Sequence, residues 1–251
     1  MNIFSRLMGS FSGELLKGYK ADTSVSDFKA GLNNIWTIKS AKRTSNGEEC
    51  SIMTCTKQSI KETLGGDITD LEPIWKVIQA EAKNLLCMKH PSLLKVLDKI
   101  HQDENQISVV VERIQGTLAT IFQEIYTFVG ENPEKEFEGV MDSYEVKLNI
   151  KMILTALRFI NKDLKKCHFG VSPEIIFFTE GAKKWKMGGF GLMKSFGISN
   201  SQNEIVPINP NLYFVSPEHF DSVNNRSDLF SFGLVLVKLF IYISHLQNSN
   251  F

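Results

Sequence analysis

The sequence predicts an α+β fold in two lobes, a small strand-rich one followed by a helix-rich one. Three observations carry this expectation. Between residues 28 and 111, short apolar runs alternate with turn signals, the pattern of strands. Residues 144–161 set Val146, Ile150, Ile153, Leu154, Leu157 and Ile160 at helical spacing along one face. Residues 229–246, LFSFGLVLVKLFIYISHL, are apolar almost throughout, as a helix at the centre of a helical lobe would be.

Composition narrows the function classes. A chain of 251 residues with 43% hydrophobic and 22% charged content can bury a sizeable core. Its 28 basic and 28 acidic residues cancel, which removes the electrostatic case for nucleic acid. Cys50, Cys55, Cys87 and Cys167 form no C-x-x-C pair and read as reduced thiols of a cytosolic protein, neither a disulfide framework nor a zinc site.

Residues 1–27 read as an N-terminal arm. Ile3, Phe4, Leu7, Met8, Phe11, Leu15, Leu16 and Tyr19 fall near helical spacing, with Arg6, Lys17 and Lys20 among them. The arm is expected to pack on the domain as an amphipathic helix. Peripheral membrane contact through residues 1–20 is the alternative. The interruptions every two or three positions exclude a signal peptide.

Residues 28–111 form the predicted small lobe. Segments 35–40 and 50–57 flank the turn-like Thr44-Ser45-Asn46-Gly47 and read as a hairpin. A helix is expected over 70–88 through Ile74, Val77, Ile78, Leu85 and Leu86, ending before His90-Pro91. Two more strands are expected at 93–100 and 107–112. Residues 112–116 are the connection, and 117–251 the partial second lobe, in which 127–143 reads as a surface loop. The segment 229–246 is marginal in length for a membrane span. Lys238 near its middle would cost about 2.5–3.5 kcal/mol in a bilayer, so a buried helix is preferred.

Several short motifs then follow in a fixed order: Glu81 nine residues before His90, then His168, Pro173-Glu174, Gly189-Phe190-Gly191, Ser216-Pro217-Glu218, and Asp228-x-x-Ser231-x-Gly233. Over roughly 28–246 this order resembles the protein kinase fold. The phrases Trp185-Lys186-Met187-Gly188-Gly189-Phe190, Pro210-Asn211-Leu212-Tyr213 and Ser227-Asp228-Leu229-Phe230-Ser231 are similar to the SCY-like group of N-terminal kinase-like proteins. The resemblance implies a bilobal kinase-like fold whose helical lobe stops after the central apolar helix. It also implies structural roles for Glu81, His168, Phe190, Glu218 and Asp228. The family is regarded as pseudokinases of vesicle traffic, some on clathrin-coated membranes.

Phosphoryl transfer needs metal ions bridging the phosphates, a cation on the α/β-phosphates and a carboxylate for the hydroxyl proton. Carried onto this chain, the resemblance puts Gly170 where that carboxylate belongs. Ser172 takes the place of the accompanying Lys, Ile175 of the metal-binding Asn, and Gly189 of the second metal-binding carboxylate. Met53 stands for the phosphate-binding Lys. Lys57, four residues on, is about 13 Å away along a strand and too far to substitute. Glu81 thereby loses its partner and reads as a solvated carboxylate on a helix face. Gly31 is the one glycine left in the phosphate loop, 30–36.

The expected function is therefore a catalytically inactive kinase-like domain acting as an interaction scaffold. By resemblance its partners are coat or trafficking proteins, and its place is cytoplasmic, peripheral on Golgi, endosomal or vesicle membranes. No cofactor is required. ATP without metal stays open, because the resemblance implies that adenine would be held by backbone groups of the connection, near Val111, Glu112 and Ile114, and such groups leave no sequence signature. The rival readings are a nucleotide-binding switch and a divergent active kinase using Asp163 or Glu174 as base.

Overall fold

Apolar and polar residues alternate along β4 (Trp36–Arg43), so Trp36 and Ile38 face one core while Ala41 faces another. In its partner β5 (Glu49–Thr56), Met53 and Cys55 point to the first core and Cys50 and Ile52 to the second. The computed structural model describes residues 14–65, 70–131, 143–179, 184–196, 211–217 and 224–248.

The small lobe is a seven-stranded antiparallel sheet in the order β1-β2-β4-β5-β7-β6, with β3 also on β4. Its other strands are β1 (Glu14–Leu16), β2 (Tyr19–Ala21), β3 (Phe28–Ala30), β6 (His101–Gln102) and β7 (Gln106–Glu112). Residues 14–21 correct the helical reading of the arm. They form a hairpin pairing Leu16 with Tyr19, and Gly18 at φ 92 supplies the left-handed turn that a helix has no use for. Tyr19 packs on the second core, and its hydroxyl donates to Asp98 at 2.7 Å. The sheet of the small lobe thus includes residues from Glu14 on, ahead of the expected boundary at 28. The remainder of the arm, 1–13, lies outside the described residues.

Helix α1 (Lys57–Leu64) follows β5 directly. A capping box starts it, Thr56 Oγ1 accepting from the Ser59 amide at 2.9 Å and Ser59 Oγ from the Thr56 amide at 3.1 Å. Helix α2 (Glu72–Cys87) buries Ile74, Trp75, Ile78, Glu81, Ala82 and Leu85 against the sheet and the second lobe. The strand expected at 93–100 does not form. This stretch divides its hydrogen bonds between the lobes, Leu94 N to Met187 O at 3.0 Å and Leu97 N to Val110 O at 2.8 Å. A chain stitching two sheets cannot pair continuously with either.

Most of the expected connection, 112–116, is itself a strand, β8 (Ile114–Thr117), which leads into α3 (Leu118–Glu131). This helix replaces the first part of the loop expected at 127–143, because Leu118, Phe122 and Ile125 carry one buried stripe along it. Helix α4 (Ser143–Arg158) buries Val146, Ile153 and Leu157 as expected, but Leu154 stays 42% exposed. A π turn (Phe159–Asp163) then leads to β9 (Lys166–Cys167), which pairs with β12 (Lys194–Ser195). Strands β10 (Ile176–Thr179) and β11 (Lys184–Met187) complete a three-stranded sheet with β8. Helix α5 (Asn225–Asn248) packs Phe232, Val235 and Leu239 inward. Its other side leaves Leu229, Phe230, Val237, Phe240 and Ile241 exposed, so the buried-helix expectation holds for one face only. One apolar core runs without a break from Trp36 in the small lobe to Leu239 in the large one.

Candidate functional site in the interlobe cleft

Asp228 organises the floor of the cleft. It is 1% exposed on the first turn of α5. Its Oδ2 accepts from the His168 amide at 2.8 Å and Asn161 Nδ2 at 2.9 Å, and its Oδ1 from the Phe169 amide at 3.0 Å and Cys167 Sγ at 3.1 Å. Four donors around one buried carboxylate fix the backbone of residues 167–169, the role that the resemblance implied. Burial and the adjoining Asp228 charge push the Cys167 thiol far up, so it stays protonated and donates.

His168 is fully buried, and desolvation lowers its pKa. It is therefore neutral, with Nε2–H donating to Gly188 O at 2.8 Å and Nδ1 accepting from the Gly170 amide at 3.3 Å. Phe190, also fully buried, meets the imidazole edge-on at 5.3 Å. Its carbonyl accepts from Asn84 Nδ2 at 2.9 Å, which ties α2 to the second lobe. His168, Phe190 and Asp228 are thus brought together. Glu218 lies outside the described residues.

Hydrocarbon lines the positions that the resemblance matches to phosphoryl-transfer groups. A β-carbon on Gly170 would lie 2.8 Å from Leu32 Cδ2 and 3.5 Å from Leu192 Cδ1. One on Gly189 would lie 2.4 Å from Ile175 Cγ2 and 2.8 Å from Ile175 Cβ, and Gly189 stands at φ 74. In this packing a side chain at 189 is excluded by Ile175, while one at 170 would have to displace the end of the Leu32 side chain. Ser172 is buried, and Glu174 beside it is held through Oε1 by Asn211 Nδ2 at 3.1 Å. Asp163 ends the π turn, where its charge acts on His90.

In the small lobe Met53 is 1% exposed within the core, and Lys57 points away, its Nζ over the Trp75 ring at 5.3 Å. Glu81 corrects its expectation: it is 1% exposed and not a solvated carboxylate. Among the described residues neither of its oxygens accepts a well-aligned hydrogen bond, and the buried indole N–H of Trp36 donates none. Burial pushes its pKa from 4.5 up to about 7, and the Trp36 indole dipole acts the other way. The Cys55 thiol facing the same core rises to about 12, chiefly by desolvation and then by the Glu81 charge.

The connecting segment is occupied as well. Val111 is fully buried opposite Ser51 in the β5–β7 ladder. The Ile114 amide donates to Ser51 Oγ at 2.9 Å. The Glu112 amide donates to Lys95 O at 2.9 Å, and its carboxylate binds Lys186 Nζ at 2.9 Å. Across the cleft, the Gly31 amide donates to Glu174 O at 3.0 Å. Leu32 falls in the loop 30–36 and Ser51 two residues before Met53, but sequence reasoning gave neither a role; only the pairing of strands and lobes shows their contacts.

Comparison with known proteins bears on the whole chain. The family model for the protein kinase domain matches residues 37–250. The chain is 23% identical over 237 residues to the protein kinase domain-containing protein ppk32 of Schizosaccharomyces pombe, covering 86% of this chain and 31% of that protein. It is 24% identical over 184 residues to the protein kinase-like protein SCY1 of Saccharomyces cerevisiae, covering 68% and 22%. A probable myosin light chain kinase of Dictyostelium discoideum is 28% identical over 108 residues, covering 43% and 20%. The chain spans less than a third of the length of each of these relatives. With a strand-rich lobe, a helical lobe and a cleft ordered by Asp228 between them, the chain belongs to the protein kinase domain family.

Proposed function

We propose that this chain is a catalytically inactive kinase-like domain that serves as a protein-interaction scaffold in membrane traffic. One observation carries the proposal: in the four reagent positions stand Gly170, Ile175, Gly189 and Met53, and their surroundings are closed by hydrocarbon contacts. Without a carboxylate at 170 and metal ligands at 175 and 189, these positions supply no group for proton acceptance or charge neutralisation. General-base catalysis alone is worth about 10²–10⁴-fold. The kinship with SCY1 supports the kinase-like assignment. Coat or trafficking proteins as partners, and a cytoplasmic site on Golgi, endosomal or vesicle membranes, are our extension of it.

The test combines a labelled-ATP transfer assay on a generic protein acceptor with thermal melts in ATP, with and without Mg²⁺. We expect background transfer and an unmoved melt. A nucleotide present at about 100 times its dissociation constant would stabilise the fold by roughly 2.7 kcal/mol, a readable shift. A shift with ATP alone would replace this reading by a metal-independent nucleotide switch. A shift requiring Mg²⁺, together with transfer, would make the chain an active kinase. For the scaffold itself, purified coat proteins should be retained by the immobilised chain; failure of every coat component to bind would remove the trafficking role.

A further inference from the structure

We infer that residues 31–35 are an intramolecular latch that holds the two lobes closed with no ligand in the cleft. This goes beyond the inactive-scaffold reading and does not rest on it, since such a latch would equally restrain an active site.

In this segment Gly31, Asn33 and Asn34 all have positive φ, at 77, 53 and 55. Two consecutive asparagines in the left-handed region cost free energy, on the order of 1 kcal/mol or more each, unless the surroundings impose the shape. The surroundings do. The Asn34 amide closes onto Gly31 O at 3.0 Å, and the Gly31 amide crosses to Glu174 O in the other lobe, also at 3.0 Å. The turn sets Leu32, 2% exposed, over Gly170 of the second lobe, its Cδ2 2.8 Å from where a β-carbon on Gly170 would lie. Ile35 and Trp36 then anchor its far end in the core of the small lobe, at 0% and 1% exposure. Gly31 itself is required by more than its φ, since a β-carbon there would meet Trp36 Cδ1 at 2.6 Å.

Glu174 is the keeper on the other side. Its carbonyl takes the Gly31 amide while its carboxylate takes Asn211. The loop of the small lobe, the 173–175 turn and the segment at Asn211 therefore meet at one residue. At the back of the cleft a second internal contact adds to the closure. The Ile114 amide, the kind of backbone donor that the kinase resemblance gives to adenine, is satisfied by Ser51 Oγ. Leu32 covers Gly170 and Ser51 satisfies the Ile114 amide, so both contacts come from within the chain itself.

Hydrogen exchange on the full chain tests this, read at individual amides. In the wild type without ligand, the Gly31 and Ile114 amides should be protected to within about tenfold of the sheet amides of Met53 and Val109. Leu32→Ala should speed exchange at Gly31 and across residues 172–175 at least tenfold, leaving Met53 and Val109 within about twofold. Leu32→Met, close in volume, should restore protection. Unprotected Gly31 in the wild type overturns the latch. So does a Leu32→Ala chain in which latch and sheet amides accelerate together. If Leu32→Ala does not fold, the wild-type protection of Gly31 and the response to Leu32→Met decide.

Discussion

Glu81 sits where the chain can neither hydrate nor pair a charge, so its proton becomes part of the fold. In the unfolded chain it ionises near 4.5, and in the folded one burial holds the proton to about 7. Between these values the folded state binds the extra proton, so stability falls as pH rises and levels off above about 7. The sign is opposite to that of a paired carboxylate. Urea unfolding at pH 5 and pH 8 should show the wild type losing on the order of 3 kcal/mol across this window relative to Glu81→Gln. Equal pH slopes in the two chains would mean that Glu81 is not the titrating group.

The segments that frame the cleft are held by packing between elements. Gly189 precedes a short 3₁₀ turn (Phe190–Leu192), and Ile175 ends another (Pro173–Ile175), the two turns closing on each other. Gly189→Asp brings a β-carbon to 2.4 Å from Ile175 Cγ2 at a backbone angle unfavourable to any side chain. Overpacking of this kind costs about 1–3 kcal/mol, and the left-handed conformation about 1–2 more. Chemical denaturation should therefore show Gly189→Asp destabilised by several kcal/mol. Adding Ile175→Ala should return part of that loss. If the double variant is no better than the sum of its singles, Ile175 is not what excludes the carboxylate.

Taken whole, the molecule is well closed between its lobes and open along α5. Leu229, Val237, Phe240 and Ile241 stay about half exposed on one side of this helix, with Gly233 in open space among them. Contiguous apolar surface of this sort promotes association. The isolated chain should show concentration-dependent light scattering. A Val237→Lys/Phe240→Glu pair should suppress it with a stability change of only about 0.5 kcal/mol per site. Scattering that persists in that variant would place the sticky surface elsewhere. Lys238, on the same helix, turns the other way, its Nζ over the Phe122 and Phe214 rings at 5.4 and 5.6 Å.

The sequence by itself determined the two-lobe order, the identity of the motif positions and the groups that stand in them. Gly170, Ile175, Gly189 and Met53 are legible as letters, because a missing side chain or a hydrocarbon has the same chemistry wherever it sits. A part for Asp228 was legible only through the kinase resemblance; its donors, the amides of His168 and Phe169, are seen in the structure. Tertiary structure alone decided the rest. Whether Glu81 is solvated depends on what packs over α2, and its exposed or buried state leaves no trace in a period of 3.6. Residues 14–21 pair as strands because a neighbouring strand is there to receive them; their spacing suited a helix as well. Leu32 and Ser51 were invisible because their roles come from contacts with residues far along the chain, 170 and 114, and long-range contact is what a local pattern does not encode.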